Sequence, residues 1–122
     1  MNAEKTVRDF CSAVPHRTSA ELVDFFTADA VYHNIPVDPV RGKDAIQATL
    51  AQFLDISTGA EFEILALAAA GNKVLTERID RFTINGMHIE IPVMGTFEIA
   101  ADGKISAWRD YFDMQQFMKQ MA

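Results

Sequence analysis

The period of the hydrophobic pattern changes near residue 60. Before it, apolar residues recur three and four apart. Val7, Phe10, Cys11 and Val14 make one stripe over residues 3–14, and Pro15 supplies a stop. TSAELVDFF starts a second, short helix, with Ser19 as N-cap and Leu22, Val23 and Phe26 on one side. ADAVYHNIPV is β-rich and closed by Pro36, which predicts a strand over 30–34 and then a loop, PVDPVRG. Over 43–54, Ala45, Ile46, Leu50, Phe53 and Leu54 again fit a helix.

After residue 60 the period shortens to two. Segments 60–69, 72–84, 87–100 and 104–113 read as strands, parted by the short turn signals AGN, NG and ADG. Within 72–84, Leu75, Ile79 and Phe82 would also suit a helix, but the β-branched residues and the Asn85–Gly86 turn favour a strand. MQQFMKQMA, 114–122, closes the chain as a helix. Helices first and a meander afterwards predict an α+β fold: a curved, mixed but mostly antiparallel sheet packed on the N-terminal helices, with a central pocket between the two layers.

Composition adds limits to this picture. At 122 residues, 49% hydrophobic and 23% charged, the chain is expected to form a single domain over 1–122 with its own core. A net charge of −6 without a Lys/Arg cluster argues against nucleic acid or an anionic membrane surface as partner. Cys11 is the sole cysteine, so an intrachain disulfide or a thiol-rich metal site is out of reach. His16, His33 and His88 lack ligand spacing, and neither a metal nor a cofactor is expected. No leader-like apolar stretch opens the chain and no apolar run is long enough to span a bilayer, which points to the cytoplasm.

Strand parity then raises the chemistry. Arg78 and Asp80 share a face with Val74, Thr76 and Phe82, so that face is either solvent or the lining of a pocket. On the last strand Ser106, Trp108, Asp110 and Phe112 point one way, and Ile105, Ala107, Arg109 and Tyr111 the other. A carboxylate between two large aromatics needs a partner, because burying it unpaired is costly. Tyr32 and Asn34 share a face of the first strand, with His33 turned away. If these faces converge, the pocket holds two carboxylates, a guanidinium able to fork to both, and two neutral hydrogen-bonding groups.

YHN, TERID and WRDYFD, in that order after two helices, resemble the limonene-1,2-epoxide hydrolase family over roughly residues 32–117. The resemblance implies the cone-shaped fold shared with nuclear transport factor 2, ketosteroid isomerase and the polyketide cyclases. It makes Asp110 the carboxylate that activates water, with Tyr32 and Asn34 holding that water. It makes Asp80 the acid that protonates the epoxide oxygen and Arg78 the bridge between the aspartates. The activity implied is the cofactor-independent addition of water to a small, largely apolar, cyclic or terpenoid-like epoxide, giving a vicinal diol. Pocket walls are expected from Val14, Phe53, Phe82, Ile91, Val93, Trp108, Phe112 and Phe117. Segments that cover the pocket at both ends of the family's type members are short here, which bears on the substrate more than on the chemistry. A homodimer is expected by resemblance, paired through an outward face that includes Ile105, Ala107 and Tyr111.

Other readings fit the same residues. Arg78 and Asp80 would suit a solvated ion pair. A ketosteroid-isomerase-like or cyclase-like proton shuttle would use Asp80 or Asp110 alone. A non-catalytic binding module of the nuclear-transport-factor type would have no reason to bury Arg78, Asp80 and Asp110 together.

Overall fold

The computed structural model describes residues 2–121. Helix α1 (Ala3–Ala13) opens the chain, capped by Asn2, whose side chain accepts from the Lys5 amide at 3.0 Å. Its stripe is the expected one, since Val7, Phe10 and Cys11 are buried and Val14 follows at the C-cap. The next helix, α2 (Ser19–Leu22), is a single turn and is capped by Thr18, not by Ser19. Thr18 is extended and exchanges hydrogen bonds with Glu21 in a capping box, while Ser19 is already helical and gives its hydroxyl to Asp55 at 2.7 Å. A 3-10 turn over Val23–Phe25 then swings the chain into β1 (Phe26–Asn34). Phe26 thus begins a strand and does not extend the helical stripe.

The loop after β1 contains a two-residue strand, β2 (Val40–Arg41), pairing with Val31 and Tyr32. It precedes α3 (Lys43–Ala51), whose helical spacing continues as turns through Leu54. Four long strands follow: β3 (Glu61–Ala70), β4 (Lys73–Ile84), β5 (Met87–Ile99) and β6 (Ile105–Tyr111), and then α4 (Met114–Met121). Ala122 of the expected last helix lies outside the described residues. Strand order is β2-β1-β6-β5-β4-β3, antiparallel throughout except where β1 runs parallel to β6. The sheet is curved and unclosed. No helix among the described residues is long and apolar enough to cross a membrane.

Alternation is strict along β4: Val74, Thr76, Arg78, Asp80, Phe82 and Ile84 are all buried, and the residues between them are not. Its hairpin to β5 turns on Asn85 and Gly86, both at positive φ (52° and 77°), the geometry that a two-residue turn between twisted strands requires. On β6 the alternation breaks. Ile99 of β5 pairs with Ile105 and Glu98 with Ala107, so Ser106 is an extra residue in a bulge. The bulge turns Ile105 inward, where it is fully buried, and removes it from the outward face expected of it.

Under the sheet, Phe10 is the hub of an aromatic cluster. It meets Phe25, Phe26, Phe62, Phe97 and Trp108 edge-on, at centroid distances of 5.1–6.4 Å. Such pairs add about 0.5–1.5 kcal/mol each beyond area burial. Trp108 lies flat between Tyr32 (4.0 Å, 9°) and Phe97 (5.4 Å, 15°). The stack fixes the direction of the indole N–H.

Candidate active site

Arg78 on β4 is fully buried, a placement a guanidinium tolerates only when every donor finds an acceptor. Here all five N–H groups do. Nε donates to Asp80 Oδ1 at 3.0 Å and Nη2 to Asp80 Oδ2 at 2.8 Å. Nη2 also donates to Asp110 Oδ2 at 2.8 Å, and Nη1 to Asp110 Oδ1 and Thr76 Oγ1, each at 3.2 Å. The guanidinium forks to both aspartates, with the Phe62 ring against it at 4.9 Å. Asp80 and Asp110 are themselves only 4% and 3% exposed.

Asp110 sits at the end of β6 and also accepts the Trp108 indole N–H on Oδ1 at 2.6 Å. That oxygen therefore takes two donors and Oδ2 one. Parallel pairing sets Tyr32 beside Trp108 and Asn34 beside Asp110, so the neutral pair faces the same side as the carboxylate. Tyr32 spends its proton on Asn34 Oδ1 at 3.1 Å, which leaves its own oxygen and the Asn34 amide N–H groups to hold a guest.

These groups close one side of a cavity of about 120 Å³. Its polar lining is Tyr32, Asn34, Asp80 and Asp110, and the rest is apolar: five phenylalanines with Ile84, Ile91 and Val93. Helix α4 forms part of the wall through Phe117 and is held by Gln120, whose amide brackets the Glu90 backbone on β5 at 2.8 and 2.9 Å. Burial pushes the Asp80 carboxyl up to about 6, the nearby Asp110 charge adds to this, and Arg78 opposes it. Burial opposes charge on Arg78 as well, but the two aspartates outweigh it and hold its pKa above the ordinary value. Burial, then the Asp110 charge, keeps the Tyr32 phenol protonated far above its usual range.

A family model described as the limonene-1,2-epoxide hydrolase catalytic domain matches residues 1–122. The chain belongs to the limonene-1,2-epoxide hydrolase family. It is 38% identical over 102 residues to the epoxide hydrolase EphG of Mycobacterium tuberculosis, a match covering 79% of this chain and 67% of EphG. A solved epoxide hydrolase of M. tuberculosis, described as limonene-epoxide-hydrolase-like, superposes with a TM-score of 0.83 at 31% identity, covering 97% of this chain and 87% of that one. A protein of Shewanella denitrificans OS-217, provisionally described as a SnoaL-like polyketide cyclase, superposes with a TM-score of 0.86 over 98% of this chain and 96% of its own. At 16% identity that likeness shows a common fold alone. The fold is the α+β one of the nuclear transport factor 2 and SnoaL class, and this member of the family is an epoxide hydrolase.

Arg78, Asp80, Asp110, Tyr32 and Asn34, expected to converge, do converge. Ion-paired burial replaces the solvated pair that Arg78 and Asp80 would otherwise form. Of the expected walls, Phe53, Phe82, Ile91, Val93, Phe112 and Phe117 line the cavity, and Val14 and Trp108 do not. Val14 is buried in the core at the end of α1, which packs on β3, β4 and β5. Trp108 is behind the cavity wall, its ring stacked on Tyr32 and its N–H given to Asp110. Two wall residues escape the sequence reading, Phe62 and Ile84. Ile84 carries a usable signal, since it stands two and four residues from Phe82 and Asp80 on one face. Phe62 carries none, because only the pairing register sets it opposite Asp80. Cys11 is buried in the core, and burial pushes its thiol up to about 12, so it is inert there.

Proposed function

We propose that this single domain adds water in one step to a small, largely apolar epoxide, with Asp110 as base and Asp80 as acid. Water held by Tyr32 and Asn34 gives a proton to Asp110 as its oxygen attacks a ring carbon. The C–O bond at that carbon breaks, and the oxygen leaving it takes the proton from Asp80. Arg78 joins the two carboxyls. With one aspartate ionised and one protonated the trio is neutral before the step, and it is neutral after it with the roles exchanged. One proton must then return from Asp110 to Asp80 to reset the site. The observation that carries this reading is the forked guanidinium with an Asp80 carboxyl raised to about 6 beside an apolar cavity.

An isotope experiment tests it. In a single turnover with excess enzyme in ¹⁸O-water, one-step attack puts the label into the diol at once. A first-turnover diol free of label would mean that a carboxylate supplied the oxygen through an ester, and would overturn the reading. A panel of cyclic and terpenoid-like epoxides, scored for diol formation, addresses the substrate. Arg78→Gln separates this chemistry from a proton shuttle on one aspartate, which would keep near-full activity without the bridge.

On this reading the enzyme works in the cytoplasm as a homodimer. Leu75, Met94 and Tyr111 are each about half exposed on the outward face of the sheet and surround one shallow depression with Thr96 and Arg109. A second copy about a two-fold axis would cover it. Light scattering showing only monomer at micromolar concentration would count against the dimer.

A further inference from the structure

Arg78 reaches Asp110 across a strand that belongs to neither of them. Asp110 is on β6, Arg78 is on β4, and β5 runs between, so the guanidinium spans a gap of roughly 10 Å between strands. The crossing is made at Gly95. In the pairing register Thr76 faces Gly95 and Gly95 faces Asp110, in one line across three strands. Gly95 points inward between Val93 and Phe97, both buried, where a side chain would be the rule.

The other glycines with a conformational reason differ from it. Gly42, Gly71, Gly86 and Gly103 all have positive φ, and Gly95 does not. What Gly95 lacks is space. A Cβ there would lie 2.3 Å from Arg78 Nη1, 2.4 Å from Asp110 Oδ1 and 3.2 Å from Thr76 Oγ1. These three nearest atoms all belong to the ion-pair network or to the hydroxyl supporting it. That hydroxyl is in turn fixed by the Gly95 carbonyl, to which Thr76 donates at 3.1 Å. A glycine inside a strand weakens it, and one at the meeting point of two catalytic groups has a functional reason to be there.

We propose that Gly95 is a positioning residue for the epoxide hydrolase reaction: the missing side chain is the passage through which Arg78 joins Asp80 to Asp110, and Thr76 holds Nη1 at its mouth. The proposal rests on the reading of Arg78, Asp80 and Asp110 as the working trio. Because the atoms in the way are the ends of side chains, Gly95→Ala should leave the backbone in place and force Arg78 and Asp110 apart. Misplacing reacting groups by about an ångström costs on the order of 10²-fold in rate.

Gly95→Ala is therefore expected to lower kcat by roughly 10²-fold with KM changed less than about threefold, and with an unchanged circular dichroism spectrum. Trp108 is the only tryptophan, so a single indole N–H resonance reports on Asp110 Oδ1. It should move in Gly95→Ala. A variant with kcat within threefold of wild type and an unmoved indole resonance would overturn the proposal. Where lost stability in Gly95→Ala obscures the rate, the same change in an Arg78→Gln chain, with both melts compared, reads the steric conflict directly. The shorter side chain removes Arg78 Nη1 from the passage and, with it, the ion pair that holds Asp110 Oδ1 there, so Gly95→Ala should lower the melting temperature in that chain by less than half of its effect in wild type. An equal fall in both chains would overturn the proposal. Full activity in Asp110→Asn would instead sink the reading of the trio, whatever Gly95→Ala does.

Discussion

Arg78 and Arg81 stand three residues apart on β4 and each gathers carboxylates at 2.8–3.2 Å, yet they do opposite kinds of work. Arg81 is on the outward face, open to solvent, and meets Glu61, Glu63 and Glu90. Its carboxylates can be hydrated if it lets go. Arg78 is on the inward face with no access to water, and its two aspartates would be stranded without it. Contact distance does not separate the two clusters. Burial does, and with it comes the Asp80 carboxyl raised to about 6.

The comparison breaks most visibly at the aspartates. Asp110→Asn is nearly isosteric and keeps a partner for Arg78 but cannot accept a proton, so kcat should fall by about 10²–10⁴-fold with the fold intact. Arg78→Gln should do comparable damage to rate. It should also cost about 3–5 kcal/mol of stability, because it leaves two buried carboxyls without their counter-charge. A chemical melt of each variant separates the effects: Asp110→Asn keeps most of the wild-type stability and Arg78→Gln does not.

Asp80 sharpens the contrast through pH. Its carboxyl is raised from 3.8 to about 6, so the folded protein holds the proton that the unfolded chain gives up. The sign follows: Asp80 favours folding fully below pH 4, and that contribution is lost as pH rises through about 6. In the proposed mechanism the same proton is the one the opening ring needs. Turnover should therefore fall on the basic side of about pH 6, by up to tenfold per unit. Asp80→Asn should be severely impaired at every pH. If it stays active with the same basic limb, the proton comes from elsewhere.

Trp108→Phe probes a smaller effect. It keeps an aromatic ring between Tyr32 and Phe97 and removes the 2.6 Å hydrogen bond to Asp110 Oδ1, at the cost of some buried volume. A hydrogen bond to a charged group is worth about 1.5–3 kcal/mol, which bounds the expected loss at roughly 10- to 150-fold in kcat. Unchanged kcat and KM would mean that Arg78 alone orients Asp110.

These residues also mark what the sequence makes legible. The inward face of β4 is readable from parity, because Asn85–Gly86 fixes where the strand ends and nothing interrupts the alternation before it. β6 shows the limit: a bulge at Ser106 turns Ile105 inward, and a bulge leaves no mark in the pattern when the residues beside it are small. The same limit explains Phe62, Trp108 and Gly95. Each takes its role from which strand lies next to which and in what register. Parity places a residue on a face, and only pairing places it against a partner. Thr18 and Ser19 differ for a related reason, since both are good caps and the Glu21 side chain decides between them.

The smallest effect is expected at Arg81, and it is the control on which the comparison depends. Hydrogen bonds to Glu90, Glu63 and Glu61 hold its pKa above the ordinary value, as the aspartates do for Arg78. If ion pairing itself made a site, Arg81→Gln would disturb function as Arg78→Gln does. Instead the glutamates are about half exposed and water replaces the guanidinium, so the melting temperature should move by no more than roughly 5 °C, and less still in salt. The fall of turnover above about pH 6 should be superimposable on wild type, because Arg81 faces away from Asp80 across the sheet. A displaced basic limb in Arg81→Gln would show that the outward charges reach the buried carboxyl, and would remove burial as the feature that separates the two arginines.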